Sequence, residues 1–407
     1  MKIIKYGSKK LEKIYNRGTA RNRRIEDKVR HILEDVRLFG DDALIEYTKK
    51  FDKVKLSPRQ IKVAAIEISA AYQNIDPRFV STLKVIMENV TRFYSKVKTK
   101  SWRIKDGESV LGENITALDK VGIYIPAGTA PLVSSVYMTV LPAKLAGVKK
   151  IILMSPPDRQ GNINPHILAI ANLLKVDEIF RIGGAQAIGA MAYGTKTVPK
   201  VDKIVGPGNP YVSEAKRQVF GTVDIDMIAG PTELVIIANQ HSDPRFVIAD
   251  LKAQSEHAGG LSILITNSKA FANEIKSKVP DTNNMIVLTK NLNQAIDVAN
   301  RIAPEHLEVL VTNPNRIAKQ IRHAGAIFLG PYSPTALGDY IAGPSHVLPT
   351  NGTARFFSGL SVRDFMKTSH IINYSKKALE KAREPLEKIA SIEGLVKHLD
   401  SVKIRFE

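Results

Sequence analysis

Val121-Gly122-Ile123-Tyr124-Ile125-Pro126 decides the fold. The run is rich in β-favouring residues and stops at a Pro/Gly/Thr loop, as a buried strand does where it leaves a sheet. Residues 135–145 follow with helical character, then Lys150-Ile151-Ile152-Leu153-Met154 as a second buried strand. A helix over 167–174, a strand at Glu178-Ile179-Phe180-Arg181, a helix over 185–192 and a strand at Lys203-Ile204-Val205 continue the pattern. Strand and helix alternate with short connections, which predicts an α/β protein with a parallel sheet. The alternation resumes with strands at 233–238, 262–266, 285–288, 306–311 and 326–329, and helices at 245–255 and 292–302. Two similar α/β halves are compatible with this pattern.

Outward from this centre the chain reads as helical. Val29, Ile32, Leu33 and Val36 recur at helical spacing, and Gly40-Asp41-Asp42 ends that helix and caps the next. Residues 61–97 continue the pattern with a break at Asp76-Pro77, so the first hundred residues are expected to be helical. After Val362 the chain is again expected to be helical, charged and basic at its end.

Composition narrows the chemistry. Of 407 residues, 44% are hydrophobic and 24% charged, ordinary for a globular chain of two or three domains. There are no cysteines, so disulfides, zinc–thiolate sites, iron–sulfur clusters and thiol nucleophiles are excluded, and any metal needs nitrogen or oxygen ligands. The uncharged run between Lys120 and Lys144 is broken by Pro126, Pro131 and Pro142, which argues against a membrane helix. Met1-Lys2-Ile3-Ile4-Lys5 lacks the apolar core of a signal peptide, so a cytoplasmic protein is expected. The net charge of +19 admits nucleic-acid binding, but the basic residues are spread and interleaved with acids, and aromatics are only 6%. A solvated Lys-rich surface is the simpler reading, and no nucleic-acid partner is expected.

Two glycine-rich loops follow predicted strands: Gly183-Gly184-Ala185-Gln186 and Gly206-Pro207-Gly208-Asn209-Pro210. Loops at strand carboxyl ends are where α/β sheets bind phosphates, although ordinary turns explain these two equally well. Pro304-Glu305-His306-Leu307 sets a carboxylate beside an imidazole, the usual pair for proton transfer near neutral pH. Gln254 and His257, three residues apart on the predicted helix, share a face. Asp339 lies in Gly338-Asp339-Tyr340, His346 between Pro344 and Pro349, and His398 after Glu393-Gly394-Leu395. Each of these alone is compatible with a structural or solvated role.

Together, in order, the motifs resemble the histidinol dehydrogenase family from about Val29 to Arg405. The resemblance rests on Tyr124-Ile125-Pro126 with Gly128-Thr129-Ala130-Pro131-Leu132, Gly183-Gly184-Ala185-Gln186-Ala187-Ile188, Val205-Gly206-Pro207-Gly208-Asn209 and Ala229-Gly230-Pro231-Thr232-Glu233. It continues through Ala303-Pro304-Glu305-His306-Leu307-Glu308, the run from Gly338-Asp339-Tyr340 to Leu348-Pro349-Thr350, and Glu393-Gly394-Leu395 with His398. It implies oxidation of L-histidinol to L-histidine through L-histidinaldehyde, with two NAD+ reduced in turn. It implies two incomplete Rossmann-like domains with a helical N-terminal region and a small helical C-terminal segment. The implied division is 1–28, an N-terminal helical segment; 29–120 with 234–365, the metal and substrate domain; 121–233, the NAD-binding domain; and 366–407, a segment crossing to the neighbour in a homodimer.

The resemblance also assigns residues. Gln254, His257, Asp339 and His398 match zinc ligands. His306 matches a general base and Glu305 the group that activates water. Thr232, His346 and Glu393 match substrate contacts, bordered by His306 and the metal ligands. Tyr124, Gln186 and Asn209 match NAD contacts. Glu393 and His398 would complete the neighbouring subunit's site. Thr232 stands where the family often has Ser, and Ala258-Gly259 follow His257 where an acidic residue is usual.

Overall fold

A computed structural model describes residues 1–407 apart from 20, 21, 98, 99, 128–130, 258 and 281–283. The Gly128-Thr129-Ala130 motif and the Ala258 departure therefore lie outside the described residues. In chain order the strands are β1 (Lys2–Lys5), β2 (Trp102–Asp106), β3 (Ser109–Ala117), β4 (Lys120–Tyr124), β5 (Lys150–Met154), β6 (Glu178–Phe180) and β7 (Lys203–Val205). They continue as β8 (Asp224–Ile225), β9 (Glu233–Ile237), β10 (Leu261–Thr266), β11 (Asn284–Leu288), β12 (His306–Val309), β13 (Ala326–Leu329) and β14 (Met366–Tyr374).

The chain divides into two compact units, Met1–Val97 with Leu118–Phe365, and Lys98–Ala117 with Met366–Glu407. The first holds two parallel sheets, ordered β6-β5-β4-β7-β8 and β1-β11-β10-β9-β12-β13. Numbered from its own first strand, the five-stranded sheet reads 3-2-1-4-5, the doubly wound order without its sixth strand. From β9 onward the six-stranded sheet reads 3-2-1-4-5 as well, with β1 added beside its third strand. The α/β class and the two incomplete Rossmann-like sheets thus match the sequence reading.

The strands obey the rule for sheets covered on both faces: they are continuous apolar runs rather than alternating ones. Ile151 to Met154 and Leu234 to Ile237 are all fully buried. Helices Arg23–Phe39 and Asp41–Phe51 set Val29, Ile32, Leu33, Val36 and Leu44 into one core with Ile188 and Met191 of the helix Gly184–Tyr193.

Two expectations need correction. The first hundred residues are not wholly helical, because β1 pairs in parallel with β11 at the edge of the six-stranded sheet. The segment after Val362 is not wholly helical either: β14 precedes the helices Lys376–Ile392 and Val396–Lys403, and pairs antiparallel with β3, itself paired with β2. Both strands are largely exposed, so neither carries the apolar signature that marks the central ones.

Candidate active site

The five-stranded sheet presents its carboxyl ends. Tyr124 closes β4, is almost fully buried, and its hydroxyl accepts the Gly184 N–H at 3.0 Å. Burial pushes the phenol up to about 12, so it stays protonated. Gly184 opens the helix Gly184–Tyr193, and Gln186 in its first turn is buried with neither amide atom hydrogen-bonded. Buried polar groups are nearly always paired, so an orphaned amide at the mouth of a glycine loop fits a site that receives a polar ligand. Gly206, just beyond β7, has φ +118°, and a Cβ there would lie 2.1 Å from the Tyr124 carbonyl, so only glycine fits. Asn209 is exposed; its side-chain oxygen caps the helix Pro210–Val219 by accepting from the Tyr211 and Val212 amides.

The six-stranded sheet presents its amino ends instead. β9 and β12 are neighbours with His306 paired to Leu234, so Glu233 and Glu305 lie side by side at the same edge. The approach to β12 is tight. Helix Leu292–Ile302 ends at Ala303, which is buried in the left-handed region at φ +48°, an uncommon conformation for a residue with a Cβ. Gly325 lies beneath, where a Cβ would come within 2.6 Å of the Glu305 carbonyl.

Glu305 and His306 are both buried, with Glu305 Oε2 3.6 Å from His306 Nδ1. The Glu305 carboxylate accepts the Glu233 N–H at 2.8 Å. Burial pushes its carboxyl up, while His306, Thr232 and the Glu233 amide hold it down. His306 Nδ1 lies 3.1 Å from the Glu233 carbonyl, which can only accept, so Nδ1 carries the proton. Nε2 is left buried without a hydrogen bond, 3.6 Å from Asp339 Oδ1. Burial opposes charging the ring, but Glu305 and Asp339 outweigh it and hold the imidazole at about 9.

The remaining expected residues fall into place by degrees. Gln254 is buried at the end of the helix Pro244–Gln254, and its Nε2 donates to Thr232 Oγ1 at 3.3 Å, leaving the amide oxygen available. His257 does not share the helix. The helix stops at Gln254, and His257 is exposed in the turn that follows, its N–H bonded to the Gln254 carbonyl. Asp339 is half-buried in the short helix Thr335–Tyr340 rather than in a plain loop. His346 lies within electrostatic reach of Asp339 and His306. Its Nε2 is 3.0 Å from Ser134 Oγ, and burial pushes its imidazole down. Glu393 and His398 are exposed in the second unit, at the end of Lys376–Ile392 and in Val396–Lys403.

Several supporting residues escape sequence reasoning. Arg17 grips Glu233 with two bonds, 2.5 Å from Nε and 2.6 Å from Nη2, and donates to the Ile302 carbonyl. Asn351 N–H donates to Glu233, and Thr350 Oγ1 accepts the Gly230 amide. The one available signal was a charged residue heading an otherwise apolar strand, Glu233-Leu234-Val235-Ile236-Ile237. Helix Ser134–Ala146 joins the two sheets' working ends, through Ser134 to His346 and through Tyr137 Oη to the Tyr340 carbonyl.

Among the described residues no three His, Cys, Asp or Glu side chains gather as a metal-binding group. The expected donors in the first unit are an amide oxygen, a carboxylate and an imidazole, Gln254, Asp339 and His257. That mix suits a borderline divalent ion such as zinc.

Comparison with known proteins bears on this geometry. The family model for histidinol dehydrogenase matches residues 15–406. Histidinol dehydrogenase of Clostridium acetobutylicum is 47% identical over 98% of this chain and 97% of its own. That of Listeria monocytogenes is 46% identical over 96% and 95%. The crystal structure of histidinol dehydrogenase from Elizabethkingia anophelis superposes with a TM-score of 0.93 at 35% identity, covering 100% of this chain and 98% of that one.

Proposed function

The chain belongs to the histidinol dehydrogenase family, and on that premise we propose that it oxidises L-histidinol through L-histidinaldehyde to L-histidine. The observation that carries the reading is the buried Glu305–His306 pair, with Nδ1 bound to the Glu233 carbonyl and Nε2 free of hydrogen bonds. With the ring held at about 9, His306 Nε2 takes the proton of the substrate alcohol from its neutral form, whose share grows as pH rises towards 9. Glu305 takes a proton from the water that adds to the aldehyde. The two groups have separate work because the first oxidation only loses a proton, whereas the second needs water first. The Glu233 carbonyl fixes which nitrogen of His306 is basic, and Arg17 holds Glu233 in place.

NAD+, when bound, accepts a hydride in each oxidation. We assign it to residues 121–233, against Tyr124, Gln186 and Asn209. Zinc, when bound, supplies Lewis-acid orientation of the substrate, held by Gln254, His257 and Asp339 with His398 of the partner subunit in a homodimer. Thr232, His346 and the partner subunit's Glu393 hold the substrate on the same reading. A cytoplasmic location goes with it; no helix among the described residues is long and apolar enough to cross a membrane.

The test is NADH yield from L-histidinol, with and without chelation and zinc add-back. Two NADH per histidinol, lost on chelation and restored by zinc, is the expected result. No NADH from histidinol, with turnover of another alcohol, would overturn the substrate assignment.

A further inference from the structure

A buried ion pair outside the reacting residues governs the second glycine loop. Lys216 and Asp226 are both almost fully buried, with side-chain exposures of 2% and 1%. Lys216 comes from the helix Pro210–Val219, and Asp226 follows directly on β8. The two are ion-paired, and both bind the backbone of Gly206, on the two peptide groups either side of its Cα. Lys216 Nζ donates to the Gly206 carbonyl at 2.9 Å, and Asp226 Oδ2 accepts the Gly206 N–H at 2.8 Å. Asp226 Oδ1 also accepts the Met227 N–H at 2.6 Å.

The position explains the need. Val205 is the last residue of β7, and its neighbour β8 is only two residues long. Gly206 therefore leaves the sheet with a buried donor and a buried acceptor beyond the end of the ladder. Unpaired buried backbone groups are costly, and the ion pair satisfies both the N–H and the carbonyl of Gly206. It also closes a ring: Gly206 opens the loop, Asn209 caps the helix, and Lys216 on that helix returns to Gly206. Replacing a buried pair by apolar side chains is often neutral or stabilising, so stability alone does not account for it. What the pair supplies is a single conformation at Gly206, with its N–H and its carbonyl each held, where the backbone already packs on the Tyr124 carbonyl.

We propose that Lys216 and Asp226 are positioning residues for dinucleotide binding, setting the Gly206–Asn209 loop and through it the affinity for NAD+, with no part in the chemical steps. The inference rests on the reading that this loop receives NAD+. The NAD+ Kd of the parent enzyme is measured first by titration calorimetry. A parent that binds no NAD+ ends the reading of the loop, and this inference falls with it. Steady-state kinetics then compare the parent with Asp226→Asn, which keeps volume and an acceptor oxygen, and with Lys216→Met/Asp226→Asn, which leaves no lone buried charge. The expected result is an NAD+ Kd and KM raised roughly tenfold to a hundredfold, the scale of a misplaced binding loop. At saturating NAD+, kcat and the histidinol KM should stay within about threefold of the parent in the same preparations. Folded variants with the parent's NAD+ affinity would overturn the proposal, whatever their melting temperatures. So would kcat and both KM values worsening together, which is the mark of general damage. Should Asp226→Asn, which leaves Lys216 as a lone buried charge, or the double variant fail to fold, the other decides by the same split.

Discussion

The two parallel sheets of the first unit have the same strand order and work at opposite ends. In the five-stranded sheet the features suited to a ligand lie at the carboxyl ends: Tyr124, the Gly184 helix start, the orphaned Gln186 amide and the Gly206 loop. That is the place the doubly wound order predicts. In the six-stranded sheet Glu233, Glu305 and His306 stand at the amino ends. Its own carboxyl-end crevice, between β9 and β12, is closed. Ser242 Oγ accepts the Asn239 N–H and donates to the Leu310 carbonyl, and the next helix begins with Asp243, a charge that repels anions. Strand order locates a cleft only when the loops leave it open. Where they do not, the opposite edge is free to be used.

The comparison can be broken most sharply at the amino ends. His306→Ala should lower kcat for alcohol oxidation by about 10²–10⁴-fold while the protein keeps its melting temperature within a few degrees. An activity loss of only a few-fold would move the chemistry elsewhere. Glu305→Gln should slow aldehyde oxidation by about 10²-fold and spare alcohol oxidation by comparison, read by supplying each substrate in turn. Equal losses would end the separation of roles. At the carboxyl ends of the other sheet, Gln186→Ala should raise the NAD+ KM roughly tenfold with little change in kcat, since on the proposed assignment it removes a cofactor contact and leaves the reacting groups alone.

A fourth measurement concerns pH. Glu308 is fully buried on β12, two residues after His306, and its Oε1 accepts the Thr335 N–H at the start of the helix that carries Asp339. Burial pushes its carboxyl up to about 8, and the neighbouring Asp250 carboxylate adds to the rise, while His306 pulls the other way. Above the ordinary carboxyl pKa the unfolded chain loses this proton and the folded chain keeps it. This contribution to stability is therefore full in acid and fades as pH rises towards 8. The parent should lose several degrees of melting temperature between pH 5 and pH 9 that Glu308→Gln does not lose. Parallel curves would show that Glu308 does not hold its proton. The smallest kinetic effect belongs to the closed crevice. Ser242→Ala should cost about 1–2 kcal/mol of stability and leave kcat and both KM values unchanged.

The sequence made the central strands legible for a physical reason. A strand covered on both faces must be a short unbroken apolar run, and Lys150-Ile151-Ile152-Leu153-Met154 is one. β1 and β14 are exposed, and their identity lies in their partners, β11 and β3, far along the chain. The site divides the same way. Glu305 and His306 are adjacent and could be read as a pair. The group that orients His306 is a main-chain carbonyl, and the cation that steadies Glu233 comes from 216 residues away. Neither leaves a local motif. Lys216 belongs to no motif in the sequence, and only the fold shows it to be almost fully buried beside Asp226. His257 looked helical because spacing cannot reveal where a helix stops.

Seven residues, 226–232, run directly from the end of β8 to the start of β9, a reach of at most about 25 Å when extended. Four of them are fastened to the rest of the unit: Asp226 to Gly206 and Lys216, the Ala229 carbonyl to Ser213, the Gly230 N–H to Thr350, and Thr232 to Gln254 and Leu261. Mechanically this is a strut and not a hinge. It fixes the spacing of the two sheet edges much as a spacer fixes the plates of a capacitor.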